Sequence, residues 1–266
     1  MASFPTAQAG SGGKVKWTRH THFEVDRYVP TRMDVTPTAG GECDDRAVME
    51  RAVMERAVES DRTYATDRGY AKFELFNHIA DAGSSYVCRV RDNSVSEVVD
   101  CRPLTDADRA VRVLSDQIVS RGSASSKCKP NHPVRLVVIE AKPHKSKGRS
   151  GTGATVQDCD GYLRIVTNLL DVPAEIIALL YHYRWTIESF FRFFKPILGC
   201  RHLLSHSQNG IEIQTYCAII GCMLISLWTG RKPTLRTYEM ICWYFCGMAD
   251  DEELLAHLNR LDKQSS

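Results

Sequence analysis

Tyr181, Arg184, Glu188 and Lys195 stand at offsets 0, +3, +7 and +14 along an aromatic and aliphatic stretch. At about 100° per residue they fall near 0°, −60°, −20° and −40° around a helix, so all four share one stripe roughly 60° wide. Their neighbours are Tyr183, Trp185, Ile187, Phe190, Phe191, Phe193 and Phe194. A helix apolar nearly all round is expected to be buried, and a polar stripe on it must face something that satisfies charge. One carboxylate, two cations and a phenol suit a metal ion flanked by phosphates. A plainer reading stays open: Arg184 and Glu188 form an i,i+4 pair, worth about 0.3–0.5 kcal/mol on a surface helix.

A second carboxylate sits where a ligand can reach it. Arg62 to Thr66 is a short β-like run that ends at Asp67. Arg68-Gly69-Tyr70 follows, then a helical pattern through Phe73, Phe76 and Ile79, closed by Gly83, then a strand from Ser84 to Val90. This strand–helix–strand unit puts Asp67 at the C-terminal end of its first strand, the edge where ligands gather in open α/β sheets.

The remaining elements must position these groups. Residues 1–15 read as a disordered leader rich in Ala, Gly, Ser and Thr. Arg19 to Val29 and Arg32 to Thr36 read as a hairpin around a turn at Pro30-Thr31. The repeat RAVME, RAVME, RAVES over 46–60 reads as a duplication within one surface helix. Residues 95–170 alternate strand-like runs, Val134 to Ile139 and Leu163 to Val166, with Gly- and Ser-rich loops, and Asp106 to Val119 fits either helix or strand. Asp171 can cap a long helix with Pro173 in its first turn, running to Lys195 and stopped by Pro196. Helices are expected near 210–229, 234–247 and 251–262, the last with a capping-box start at Asp250 and Glu253. The apolar run Tyr216 to Trp228 is about thirteen residues, short of the roughly 20 that cross a bilayer, and reads as a buried core helix.

The string Y-x2-R-x3-E-x6-K formed by Tyr181, Arg184, Glu188 and Lys195 resembles, without a gap, the signature of the "insertion sequence four" family of DDE transposases. DRGYAKFELFNHI, starting at Asp67, resembles the segment that holds that family's second catalytic aspartate. The resemblance runs from about Lys16 to the C-terminus. It implies an α/β fold: a ribonuclease-H-like mixed sheet, with a β-rich insertion before the catalytic-glutamate helix and a helical C-terminus. The boundaries are 16–94 for the first part of the core, 95–170 for the insertion and 171–266 for the helical remainder. It further implies a DNA transposase that cleaves and joins phosphodiesters at transposon ends. Asp67 and Glu188 would be catalytic metal ligands for Mg²⁺ or Mn²⁺, and Tyr181, Arg184 and Lys195 would bind DNA. The partners would be double-stranded DNA, at transposon ends and target, and a second copy of the chain, with no membrane and a cytoplasmic location.

The chain departs from that family in one respect. The position of the first aspartate, just before the hairpin, is occupied by Ala9-Gly10-Ser11-Gly12-Gly13, and Asp26 and Asp34 are the nearby substitutes. The family's N-terminal DNA-binding region also has no counterpart. The expectation is therefore an N-terminally truncated, catalytically incomplete transposase; the alternative is a non-catalytic DNA-binding or dimerising remnant. Composition neither forces nor forbids this: 43% of residues are apolar, 25% are charged, and the net charge is +2, so any basic footprint must be local. Ten cysteines in a chain of this length read as free thiols. Cys217, Cys222, Cys242 and Cys246 read as small buried residues rather than metal ligands, and His202 with His206 as ordinary histidines. Lys142 to Arg149 fits either a DNA-contacting or a solvated loop, with Arg89, Arg91 and Arg164 as possible additions to one basic surface. Trp185 fits core packing ahead of base stacking.

Overall fold

Runs of β-branched and aromatic residues build the sheet that carries Asp67. In the computed structural model of the protein, the described residues are 2–7, 16–27, 29–38, 54–91, 96–122, 128–141, 161–188, 190, 205, 207–230 and 234–263. They fall into two compact units, Cys43–Trp185 and Ala2–Glu42 with Thr186–Ser266.

The first unit holds strands β4 (Thr63–Thr66), β5 (Ser85–Arg89), β6 (Ser96–Cys101), β7 (Val113–Arg121), β8 (Val134–Glu140) and β9 (Tyr162–Thr167). They form one six-stranded sheet in the order β4-β5-β9-β8-β7-β6. β4 and β5 are parallel, and every other pair is antiparallel. The central strand β8, VRLVVIE, is almost wholly buried, as a strand covered on both faces must be. On one face Tyr86, Cys88, Leu136 and Val166 meet Leu75, Phe76 and Ile79 of helix α1 (Phe73–Asp81). Phe76 stacks on Tyr86 with ring centroids 4.2 Å apart. On the other face Val87, Val137 and Ile165 meet Ala174, Ile177 and Tyr181 of helix α3 (Ala174–Tyr183). The stretch 95–170 is β-rich as expected: it supplies four of the six strands and extends the sheet begun by β4 and β5. The reason lies in β5: Tyr86, Val87 and Cys88 are all buried, so the strand needs a partner on the edge that β4 leaves open, and β9 provides it.

Several local expectations are refined. Asp106 to Val119 divides into helix α2 (Asp106–Ala110) and β7, joined through Arg112 in the left-handed region. Gly83, at φ 70°, ends α1 as the pattern required. Helix α3 starts after Pro173 rather than at a capping Asp171, and has no side-chain cap of its own. Asp108 of α2 substitutes, accepting the Glu175 N–H at 2.9 Å. Met54, in the second unit of the repeat, is helical but fully buried in the cluster of Phe76 and Tyr86 rather than at the surface; residues 46–53 lie outside the described residues.

The second unit begins with an antiparallel sheet of β1 (Ala2–Ala7), β2 (Lys16–Glu24) and β3 (Val29–Thr38), in that order. The expected disordered leader is corrected here: residues 2–7 pair with β2 from Ala2↔Thr21 to Ala7↔Lys16. Pro5 is tolerated because β1 is an edge strand, where a missing N–H breaks no ladder on the open side. The hairpin 19–36 is present, but it turns at 25–27, earlier than Pro30-Thr31. Pro30 lies in β3 opposite Phe23, beside an irregularity in register at His22/Phe23, the kind of position at which a sheet accepts proline.

Helices α4 (Gln208–Thr229), α5 (Leu235–Phe245) and α6 (Asp251–Lys263) complete this unit. The α6 capping box forms as expected, with Asp250 N–H to Glu253 at 3.1 Å and Glu253 N–H to Asp250 at 2.9 Å. The expected buried core helix is buried on one side only. Ile211, Thr215, Ala218, Ile219 and Cys222 face inward, whereas Ile213, Ile220, Leu224 and Leu227 are exposed. At 22 residues α4 is also long and apolar enough to cross a membrane, by length and composition alone. Among the described residues the cysteines are free.

Burial makes the fold sensitive to acid. It lowers the pKa of His22 to about 4 and holds His132 and His257 below their ordinary value, with Arg32, for His22, and Arg236 and Arg260, for His257, acting in the same direction. Each histidine is protonated in the unfolded chain below about pH 6.5 but resists protonation when folded. Stability is therefore full above pH 6.5 and falls as pH drops below it, for His22 down to about 4. Urea melts at pH 7.5, 5.5 and 4.5 should show this decline, with His22 contributing on the order of 1–2 kcal/mol after allowance for solvent screening. An unchanged pH slope in His22→Gln would remove His22 from the explanation.

Candidate active site

Asp67 follows β4 and caps a single 3-10 turn, Arg68–Tyr70, with backbone in the extended region. Its Oδ1 accepts the Arg68 N–H at 2.8 Å. Its backbone carbonyl accepts from the Cys88 thiol at 3.6 Å. The carboxylate is thus held at the sheet edge by its own turn, as the strand–helix–strand pattern predicts.

Its neighbours come from three elements. Thr66 pairs with Cys88 in the parallel β4–β5 ladder, so the next residues, Asp67 and Arg89, stand side by side at the C-terminal edge. Tyr181 projects from the last turn of α3, 3% exposed, into the same region. Burial raises its hydroxyl pKa to about 12; the Asp67 charge adds to the rise, and Arg184 and Arg89 oppose it. Arg184, 8% exposed, lies over the Tyr181 ring at 5.5 Å and the Trp185 ring at 4.9 Å. The result is a carboxylate accompanied by two guanidiniums and a phenol whose charges act on one another. Hard carboxylate oxygen suits a divalent cation, and planar guanidinium forks suit phosphate.

The expected helix from 171 to Lys195 does not run unbroken. α3 ends at Tyr183, Arg184 sits in a turn that keeps right-handed dihedrals and bonds back to Tyr181 at 3.1 Å, and 185–188 are helical again. Trp185, expected in the core, is 47% exposed, and its ring serves as a platform for the guanidinium. Glu188 belongs to the second unit. It is half-buried between Ile187 and Phe190, which pack with Met33 of β3 and with Ala218, Ile219 and Cys222 of α4. Phe190 also meets Phe23 with centroids 5.1 Å apart. The hairpin and α4 therefore position Glu188. Lys195, the loop Lys142 to Arg149, and Cys200, His202 and His206 lie outside the described residues.

Sequence reasoning placed Arg89 only in a diffuse basic surface. The structure sets it beside Asp67, one residue past the Thr66–Cys88 pair of the parallel β4–β5 ladder, a register that no local pattern encodes. Among the described residues no group of three or more His, Cys, Asp or Glu side chains is gathered closely enough to hold a metal. Asp67 stands in the first unit and Glu188 in the second.

Fold and site define a mixed α/β protein whose sheet edge presents a carboxylate among arginines. The chain belongs to the Transposase DDE domain family, whose sequence model matches residues 3–224. It is 27% identical over 221 residues to a Sinorhizobium fredii protein named as a transposase, y4zB, covering 82% of this chain and 55% of that protein. It is 26% identical over 160 residues to a Geobacillus stearothermophilus protein named as a transposase for insertion sequence element IS5377, covering 60% of this chain and 37% of that one. The chain thus spans about half or less of the length of these relatives.

Proposed function

We propose that this chain is the catalytic-core portion of a DNA transposase of the "insertion sequence four" type, built on a ribonuclease-H-like sheet and acting on double-stranded DNA at transposon ends. The observation that carries this is the Asp67 edge: a family match over 3–224 coincides with a strand-end carboxylate flanked by Arg89, Tyr181 and Arg184. Asp67 and Glu188 serve as two of the three carboxylates of a Mg²⁺ or Mn²⁺ centre. A divalent ion held there would supply Lewis-acid stabilisation of the charge that develops on the phosphodiester. The protein's own part is to hold the DNA. Arg184, braced between two aromatic rings, grips a phosphate bidentately, Lys195 adds a point charge, and Tyr181 fixes the orientation of Arg184. Residues 95–170 act as the family's β-rich insertion, and the chain works in the cytoplasm as a pair on DNA.

Neither substitute for the first carboxylate is well placed. Asp34 is engaged by Arg32 through Nε at 2.8 Å and Nη2 at 3.3 Å, and Asp26 sits exposed in the hairpin turn. This favours slow turnover by these 266 residues, and it is the observation behind the second reading, a DNA-binding remnant without catalysis. The deciding experiment is nicking of a transposon-end duplex in Mg²⁺ or Mn²⁺ against EDTA, run beside a DNA-retention assay. Slow, metal-dependent nicking supports the first reading, retention without nicking supports the second, and a chain that neither nicks nor retains the duplex overturns both. A readout independent of turnover is available: Fe²⁺ with ascorbate and peroxide should cut the backbone near both 67 and 188, and cuts at only one would refute a shared centre.

Arg184 offers a direct test of DNA contact. Arg184→Ala should weaken retention of any duplex about tenfold and reduce the salt slope by about one. A loss that depends on sequence but not on salt would count against a phosphate contact.

A further inference from the structure

Two arginines of the six-stranded sheet are buried, and they differ in what surrounds the charge. Arg135 of β8, 1% exposed, meets Asp116 through two bonds of 2.7 Å and reaches the carbonyls of Leu169 and Leu170. Arg121 closes β7, 7% exposed. Its Nε is buried and meets no acceptor, and no hydrogen bond or ion pair joins its guanidinium to any described residue.

Its position is set by the ladder. Val119 pairs with Val134 in the β7–β8 ladder, so Arg121, two residues further, lies level with His132 and on the same face as Val119. That face belongs to the cluster of Phe76, Tyr86, Cys88 and Val134. The polar groups near the guanidinium are neutral. The Tyr86 hydroxyl shares a hydrogen bond of 3.0 Å with His132 Nε2. Burial pushes the Tyr86 pKa up and the Cys88 thiol to about 12, so neither supplies negative charge at neutral pH. Burial also presses the Arg121 pKa down, though an arginine remains charged in proteins. Taking a charge out of water without a partner costs several kcal/mol, and an apolar side chain would avoid that cost. Among the described residues no counter-charge meets it, and a ligand would supply one.

We propose that Arg121, with His132 and Tyr86 beside it, is an oxyanion subsite that takes a phosphate, supplied by the DNA backbone. The guanidinium offers the fork that phosphate matches, while His132 donates through Nδ1 to Asn131 and accepts the Tyr86 hydroxyl proton at Nε2, so the arginine supplies the donors. The choice of DNA as the source of that phosphate rests on the proposed function; the phosphate chemistry itself does not.

The test uses the whole chain, with Arg121→Met, Arg121→Gln and Arg121→Lys. Thermal melts are run with inorganic phosphate against chloride at matched ionic strength. Wild type should gain about 3 °C or more once phosphate is tenfold above its dissociation constant. Arg121→Met should melt higher than wild type without phosphate and gain nothing from it. Arg121→Gln provides the same comparison if the methionine variant folds poorly, and Arg121→Lys should keep part of the gain. An equal phosphate shift in wild type and both neutral variants overturns the subsite, as does no shift in wild type. Anisotropy with a random 20-base-pair duplex separates the sources. A loss of about tenfold in Arg121→Met, with the salt slope lowered by about one, supports a backbone phosphate. Unchanged DNA affinity beside a lost phosphate shift overturns the DNA source and leaves free phosphate. A wild-type chain that gains from phosphate yet binds no duplex overturns the proposed function while the subsite stands.

Discussion

Asp67→Asn and Glu188→Gln are each expected to bring Mn²⁺-dependent nicking down to the rate in EDTA. Charge stabilisation worth several kcal/mol corresponds to about 10³-fold in rate, more than a slow enzyme can show above background. Both substitutions spare the local structure. Asparagine keeps an oxygen to accept the Arg68 N–H, so the 3-10 turn that aims residue 67 persists. At 188 the flanking Ile187 and Phe190 anchor the segment by packing, and glutamine keeps the length and shape of the side chain. What disappears is the charge, and with it the hard oxygen ligand. Retention of DNA should be unchanged or slightly tighter, because a negative charge near phosphates has been removed. If either variant nicks as well as the parent chain, that residue is not a metal ligand.

Asp116→Ala should destabilise the first unit by about 3–5 kcal/mol, the range for breaking a buried pair by deleting one partner. Asp116 is 6% exposed and Arg135 1%, and the pair is bidentate. Arg135 also donates to Leu169, Leu170 and Val172 carbonyls, and so ties the segment before α3 to the centre of the sheet. Truncating Asp116 leaves the guanidinium with carbonyls alone. The double variant Asp116→Leu, Arg135→Met should recover only part of the loss, since those carbonyls then lose their donor. Urea unfolding followed by tryptophan fluorescence and circular dichroism measures both variants. A cost below about 1 kcal/mol for Asp116→Ala would mean that other contacts hold the segment. Because α3 carries Tyr181 and leads into Arg184, the variant should also loosen DNA binding.

The elements with strong local signals appear in the structure close to where the sequence places them. Phe73, Phe76 and Ile79 share one helical face and Gly83 follows at positive φ, so α1 is legible from spacing and a stop residue alone. The Asp250–Glu253 box is equally local, three residues apart. Errors arise where the deciding partner is far along the chain. Asp171 lost the cap of α3 to Asp108, some 65 positions earlier, and no local pattern encodes that hydrogen bond. The helical stripe from Tyr181 assumes one unbroken helix, whereas α3 ends at Tyr183 with a turn at Arg184, and Trp185 is exposed rather than packed in the core.

Residue type and spacing by themselves determined that Asp67 ends a strand and that Tyr181, Arg184 and Glu188 follow one another at helical intervals, because strand ends, caps and periodicity are set by a few adjacent side chains. Only the tertiary structure decided that Arg89 stands next to Asp67, that Tyr181 and Arg184 reach the same edge, and that Arg135 finds a counter-charge where Arg121 finds none. Those outcomes depend on strand register and on which faces pack together, and they are settled by the burial of apolar surface across the whole sheet rather than by any short run of sequence.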